Sequence, residues 1–420
     1  MVRNIVVLSG NSHPSLVESI CNILSVPPCN RILTKFSGGE SRCEIQDSVR
    51  GKDVYIVQSG GGAVNDHFIE LCIMISACKM GSAKRVTAVL PLFPYSRQPD
   101  APYNKSGAPL SKPKEHKSKE KYTFESVPAT PGPGMPKSVG LSAGSDLVRE
   151  PFFEKGPTSA PAGHSKAGSV SSQTGSTTVD RDYRSSMSMG SDFGGLQAKK
   201  GYKQWVAQAG NLIADLLTCA GADHVVTLEL HDPQYQGFFD SPVDNLYARP
   251  LLKRYIQQIP GYKEAVIVSP DAGGTKRASG IADDLGMDIA LIHKERRPTK
   301  ITDRQNATMM LVGDVFGRVC ILVDDLLDTG NTITRAAKLL QREGAQEVYA
   351  LVTHGVFSGD AIARVNASTL YKVIVTNSVP QDLHQEMCPK LEVLDVSSIF
   401  SEAIRRIHHG ESLSVLFQHD

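Results

Sequence analysis

The run Val319-Cys-Ile-Leu-Val-Asp324-Asp325-Leu-Leu-Asp328-Thr329-Gly330-Asn331-Thr332 concentrates more chemistry than any other stretch of the chain. An apolar strand runs into two adjacent carboxylates and then into a turn of hydroxyl, glycine and amide residues. A helix should follow, with Ile333, Ala336, Ala337 and Leu340 on one face and Gly344 past its end. Free backbone N–H groups at that helix start, with the hydroxyls of Thr329 and Thr332, suit a phosphate dianion. Gly330 permits close approach of the backbone. Asp324 and Asp325, at the strand end, can take ribose hydroxyls directly or through a bound metal. A strand–turn–helix in which Asp328 or Thr329 merely caps the helix has no need of two preceding carboxylates. A sugar phosphate is the expected ligand.

The elements that must hold this loop are legible as alternating strands and helices. Ile5–Ser9 reads as a strand, followed by a turn and a helix with Leu16, Val17, Ile20, Ile23 and Leu24 on one face. Further strands are expected at Val54–Gln58, Val86–Leu90, His224–Leu230, Ala265–Ser269, Ile289–His293, Val319–Asp325, Val348–Thr353 and Lys372–Thr376, and a helix at Leu212–Cys219. Such alternation favours parallel, buried sheets with ligands at the carboxyl ends of the strands. Polar residues collect at those ends.

Ala101–Lys200 stands apart. Ser, Gly and Pro supply 17, 12 and 10 of these residues, against 13 Leu, Ile, Val and Phe together. Too little apolar surface is available there to offset the entropy of ordering, so a disordered insertion is expected, with a short ordered piece near Leu147–Phe153. Its lysine-rich run from Lys112 to Lys121, interleaved with Glu115 and Glu120, reads as a solvated face or a docking tail. The remaining residues are enough for two cores. A net charge of +1 lacks the basic excess of a nucleic-acid binder. Eight scattered cysteines without a C-x-x-C pair argue against a zinc site or a disulfide framework and suit a reducing compartment. No apolar run approaches 18 residues, and the N-terminus reads as a strand, so neither membrane span nor signal peptide is expected and the cytoplasm is the expected location.

Asp-Asp-x-x-Asp-Thr-Gly-x-Thr resembles the 5-phosphoribosyl diphosphate (PRPP) loop shared by type I phosphoribosyltransferases and PRPP synthases. Glu229-Leu-His231-x-x-Gln234-x-Gln236-Gly237-Phe238-Phe239, Ser269-Pro270-Asp271-Ala272-Gly273-Gly274-Thr275-Lys276-Arg277 and His293-Lys294-Glu295-Arg296 resemble segments of the synthases. So do Lys35-Phe36-Ser37-x-x-Glu40, Tyr95-Ser96-Arg97-Gln98 and Glu402-Ala403-Ile404-Arg405-Arg406-x-His408-x-Gly410-Glu411-Ser412, in order along the chain. The chain is thus similar to the ribose-phosphate diphosphokinase (PRPP synthase) family, whose phosphoribosyltransferase relatives would have no use for the His231 segment or for the two catalytic segments Ser269–Arg277 and His293–Arg296.

The resemblance implies an α/β fold of two tandem type I phosphoribosyltransferase domains with parallel sheets. The first would end at Val243 and carry the insertion, and the second would run from Asp244 to Ser397. A final helix would return to the first domain. The implied reaction moves the β,γ-diphosphoryl group of ATP to the 1-hydroxyl of ribose 5-phosphate, releasing AMP. The implied roles are ribose 5-phosphate binding at Asp324, Asp325, Asp328, Thr329, Gly330, Asn331 and Thr332, and catalysis by Lys294 and Arg296. Phe36, Glu40, Arg97 and Gln98 would bind ATP, His231 and Asp271 would hold Mg2+, and Ser48 and Arg50 would form an allosteric phosphate or ADP site. Homologous subunits are the implied partners, in a homo- or hetero-oligomer.

Some positions depart from the family pattern. Gly38 replaces an asparagine beside the nucleotide, Glu229 an aspartate, and Asp232 and Pro233 two small residues after the histidine; Gly107 stands for an arginine of the mobile loop that the insertion enters. Insertions there occur in fungal paralogues and in poorly active associated subunits. A regulatory or scaffold subunit is therefore the alternative implied function.

Overall fold

A computed structural model describes residues 4–97, 209–295 and 308–416. The expected insertion, Gln98, Gly107 and Arg296 lie outside these residues.

In chain order, the first part comprises β1 (Ile5–Ser9), α1 (Pro14–Leu24), β2 (Arg31–Lys35), β3 (Ser41–Ile45), β4 (Asp53–Val57), α2 (Val64–Met80) and β5 (Arg85–Leu90). It continues with α3 (Ala209–Ala220), β6 (His224–Leu228), β7 (Val243–Leu246), α4 (Arg249–Ile256), β8 (Val266–Ser269), α5 (Thr275–Leu285) and β9 (Asp288–Glu295). Then come β10 (Thr308–Val312), β11 (Val319–Leu327), α6 (Asn331–Arg342), β12 (Glu347–Gly355) and α7 (Ala361–Ala367). The chain closes with β13 (Lys372–Thr376), α8 (Asp382–Met387), β14 (Leu391–Leu394) and α9 (Ser397–His409).

Two sheets result. The first is parallel throughout, ordered β1-β4-β5-β6-β7. The second is ordered β10-β9-β8-β11-β12-β13-β14 and is parallel except for β10. β2 and β3 form a separate antiparallel hairpin.

Strands buried on both faces read as continuous apolar runs, and successive side chains serve different cores. On β4, Val54 and Ile56 join the core under α2 and α3, whereas Tyr55 and Val57 face the core shared by the two sheets. On β11, Ile321 and Val323 enter that shared core, and Cys320 and Leu322 pack toward α6. The shared core also takes Ala278 and Ile281 of α5 and Phe400, Ala403 and Ile404 of α9. Ser401 of α9 donates to the carbonyl of Ile20 in α1, so this last helix packs on the first part of the chain.

Three expectations are corrected. Val243 and Asp244 both belong to β7, which pairs with β6, so the first sheet extends to Leu246 and not to Val243. β6 stops at Leu228 and not Leu230, because Glu229 turns into the left-handed region with φ 46°. On α1 the buried stripe is Leu16, Val17, Ile20, Cys21 and Leu24; Ile23 lies at its edge and is 54% exposed.

Candidate functional site

The carboxyl ends of β6, β11 and β12 meet, as open α/β sheets favour for ligand sites. A cavity of about 640 Å³ lies there, and His231, Arg97, Asp325 and Asp328 all line it. Its walls also include Gly60, Gly61 and Gly62 after β4, and the Leu92–Arg97 segment after β5.

The centre is a buried ionic network. Arg277, on α5, donates from Nε to Glu229 Oε1 at 2.7 Å and from Nη1 to Asp325 Oδ1 at 3.4 Å. Its Nη1 stands 4.0 Å from Asp324. Glu229 Oε2 accepts from Thr353 Oγ1 at 2.9 Å and from the Ala248 N–H at 3.2 Å. Its extra methylene relative to aspartate is what spans from β6 to α5 and β12. Asp325 Oδ2 lies 2.6 Å from His231 Nδ1.

These contacts set the charges. Burial opposes ionisation of Asp325, but the hydrogen bond from His231 and the Arg277 guanidinium outweigh it and hold the carboxyl below its ordinary range. Asp324 is pushed the other way, by burial and then by the neighbouring Asp325 charge. The bond to Asp325 raises the pKa of His231 against the opposing effect of burial. Two neighbouring carboxyls are thus driven to opposite protonation preferences.

Asp328 receives Arg97 Nη1 at 2.7 Å, an ion pair joining the segment after β5 to the loop after β11. Burial opposes ionisation of Asp328, but Ser358 and Arg97 together keep its carboxyl below the usual range. Gly330 adopts φ 74° and precedes α6, so Thr329, Asn331 and Thr332 sit about the free N–H groups of that helix. Asn331 Nδ2 donates to Thr329 Oγ1 at 3.3 Å.

The other candidates among the described residues are not part of the cavity lining, although the Asp271 charge acts on Asp324. Asp271 follows β8, and its Oδ1 accepts the Gly274 N–H at 3.0 Å. Phe36 and Glu40 sit at the tip of the β2–β3 hairpin, outside the cavity lining, with the Phe36 ring exposed and the Arg42 guanidinium 6.0 Å from its centroid. Ser48 and Arg50 are exposed on the segment leading to β4. Lys294 pairs with Met309 in the β9–β10 ladder.

Of the departures at Pro233 and Gly38, the first has a local explanation and the second has none. Pro233 occupies the first position of a 3-10 turn, Pro233–Phe238, capped by Asp232 accepting the Gln234 N–H. A proline there removes a donor that would have had no intrahelical partner. Gly38 has no left-handed backbone, and a Cβ built on it meets nothing within 4 Å.

Glu229, Arg277, Thr353 and His354 were not singled out from sequence as site residues. Glu229 and Arg277 are legible only as members of the resembling segments, and Thr353 and His354 only as polar residues at an apolar strand end. The Ser59–Gly62 run between a strand and a helix was a second overlooked sign.

Among the described residues, no group of three or more His, Cys, Asp or Glu side chains is arranged to hold a metal ion. Mg2+ keeps several waters and asks for one or two protein ligands beside substrate phosphates, so this sparse donor set fits it. His231 is oriented at Nδ1 by a carboxylate, as metal-binding histidines are, and its ring lines the cavity.

The fold and site together define an α/β protein with two largely parallel sheets whose strand ends meet at one polar cavity. Residues 5–111 match the N-terminal domain of ribose phosphate pyrophosphokinase, and residues 298–418 match the phosphoribosyl synthetase-associated domain. The chain is 47% identical over 420 residues to ribose-phosphate pyrophosphokinase 5 of Schizosaccharomyces pombe, covering 100% of this chain and 99% of the relative. The crystal structure of phosphoribosylpyrophosphate synthetase from Mycobacterium smegmatis superposes with a TM-score of 0.67 at 30% identity, covering 97% of this chain and 100% of that one. The chain belongs to the ribose-phosphate pyrophosphokinase family. No helix among the described residues is long and apolar enough to cross a membrane.

Proposed function

We propose that this chain transfers the diphosphoryl group of ATP to ribose 5-phosphate in the cytoplasm, giving PRPP and AMP for nucleotide biosynthesis. The observation that carries the reading is the convergence of Arg97 and His231 with Asp325 and Asp328 on one cavity. Asp324, Asp325 and the Asp328–Thr332 turn would hold the pentose phosphate. The 1-hydroxyl oxygen would bond to the β-phosphorus of ATP. The bond from that phosphorus to the oxygen bridging the α-phosphate would break, AMP would leave with that oxygen, and the hydroxyl proton would pass to solvent.

His231 and Asp271 would hold Mg2+, which when bound neutralises charge on the phosphate chain. Lys294 and Arg296 would stabilise charge on the transferring group, because phosphoryl transfer asks the protein mainly for positioning and fixed positive charge. Arg97 and Gln98 would face the nucleotide. Phe36 and Glu40 stand outside the lining of that cavity, which supports a nucleotide site completed by the hairpin of a neighbouring subunit. Ser48 and Arg50, on the exposed segment before β4, would bind a regulatory phosphate or ADP.

A regulatory or scaffold subunit is not favoured, since Pro233 is accommodated without loss and the paired carboxylates of the loop are retained. The test is ribose 5-phosphate-dependent AMP release from Mg-ATP by the purified full chain, alone and with co-expressed siblings. Robust release by the chain alone is expected. Absence alone, with a gain in the complex beyond what the siblings achieve without it, would overturn the reading of a self-sufficient enzyme.

Gly38→Asn should fold as the wild type does, because its side chain enters open space. It should tighten ATP binding by about 3- to 10-fold if it restores one polar contact worth roughly 1 kcal/mol. An unchanged Kd by calorimetry would remove the nucleotide from this side of the hairpin.

A further inference from the structure

His354 is a buried, titratable side chain that the proposed chemistry leaves without a task. It stands near the carboxyl end of β12, 2% exposed, in the seam between the two sheets. Its Nε2 lies 3.0 Å from the carbonyl oxygen of Leu228 and 3.1 Å from that of Glu229. Its Nδ1 lies 2.8 Å from Ser378 Oγ. Carbonyl oxygens only accept, so Nε2 carries the ring proton and Nδ1 accepts from the Ser378 hydroxyl. Burial lowers the pKa of the ring, which keeps it neutral in this one tautomer.

Ser378 is itself held. Its N–H donates to Thr376 Oγ1 at 3.2 Å, and its carbonyl accepts from Ser59 Oγ at 2.6 Å. The ring is therefore a rigid strut from the end of β13 to the end of β6.

The strut meets β6 where the backbone is strained. Glu229 is a non-glycine residue with φ 46°, a conformation costing on the order of 1–3 kcal/mol unless its surroundings over-determine it. The last ladder bond of β6 runs from the Glu229 N–H to the Leu246 carbonyl of β7 at 2.7 Å. The Leu230 N–H donates to Asn245 Oδ1 at 3.0 Å, and His231 then reaches Asp325. Among the described residues, the second sheet and α5 grip this segment before His231 at the Leu228 and Glu229 carbonyls, through His354, and at the Glu229 carboxylate, through Thr353 and Arg277.

We infer that His354 is a positioning residue, which holds the left-handed turn at Glu229 and so aims the His231 ring into the cavity. The inference rests on the proposed function for the task of His231, though not for the geometry. Both His354 nitrogens are occupied by protein, so the ring acts through the Leu228–Glu229 backbone and not on the ligand.

The test compares the full-length wild type with His354→Leu, which keeps apolar volume without a donor, and His354→Gln, which keeps an N–H donor at similar reach. His354→Leu should lower kcat for AMP release by about 10- to 100-fold, the scale of a misplacement near 1 Å, with KM for ribose 5-phosphate changed less than about 3-fold. His354→Gln should recover to within about 5-fold of wild type. In histidine-selective nitrogen-15 spectra, the His231 ring signals should shift in His354→Leu and return in His354→Gln. A common fall in kcat, KM and melting temperature without rescue by glutamine, or His231 signals unmoved in His354→Leu, would overturn the inference. If the wild type releases no AMP, the proposed function falls, and the His231 signals alone then decide the positioning role.

Discussion

Replacing Arg277 by methionine is expected to lower folding stability by about 3–5 kcal/mol, the largest loss among single substitutions near the cavity. Methionine keeps much of the apolar stem but removes the charge. Glu229, 4% exposed, and Asp325, also 4% exposed, would then lose the cation that lies between them. An uncompensated buried carboxylate is costly, whereas removing both members of a buried pair is often close to neutral. The double variant Glu229→Gln with Arg277→Met should therefore be more stable than the single Arg277→Met. Urea unfolding of wild type, both single variants and the double variant reads this coupling directly. A loss below about 1 kcal/mol for Arg277→Met would mean that water takes the place of the guanidinium and that the network does not tie the two sheets together.

The second large effect concerns ligand and not folding. Changing Thr329 and Thr332 together to alanine should abolish measurable ribose 5-phosphate binding. Hydrogen bonds to a charged phosphate contribute roughly 1.5–3 kcal/mol each, so two lost together weaken binding by at least about 100-fold. Folding should be nearly untouched. Thr329 is exposed, and α6 is secured by Ile333, Ala336, Ala337 and Leu340 in the core. Titration calorimetry of the full chain separates the outcomes. Unchanged affinity with intact folding would place the sugar phosphate somewhere other than the Asp324–Thr332 loop.

The two predictions differ because the residues differ in how they could be recognised. Thr329 and Thr332 sit in one contiguous motif after an apolar strand, and local chemistry announces them. Arg277 and Glu229 are separated by 48 residues and meet only across the sheets. In sequence, Glu229 read as a lengthened aspartate; in the fold, that length is what lets it reach Arg277 and Thr353.

Strands β4, β5, β11 and β13 were legible because a parallel strand covered on both faces leaves an unbroken apolar run. The β2–β3 hairpin was not legible, since Ser41-Arg-Cys-Glu-Ile is largely open on one side and its alternation is short. β7 and β14 have four residues each, too few for a period to emerge. Ile23 fitted the helical spacing, yet the packed stripe of α1 is turned toward Cys21.

The sequence by itself determined the alternating α/β pattern, the carboxylate–glycine–hydroxyl loop and its place at a strand end, because these are set by local propensity and by contiguous residues. Only the tertiary structure decided that Arg97 pairs with Asp328, that His231 is held by Asp325, and that His354 braces the turn at Glu229. Each of those contacts joins residues 94 or more positions apart. Their partners are chosen by where sheet packing brings strand ends together, and no local spacing encodes that.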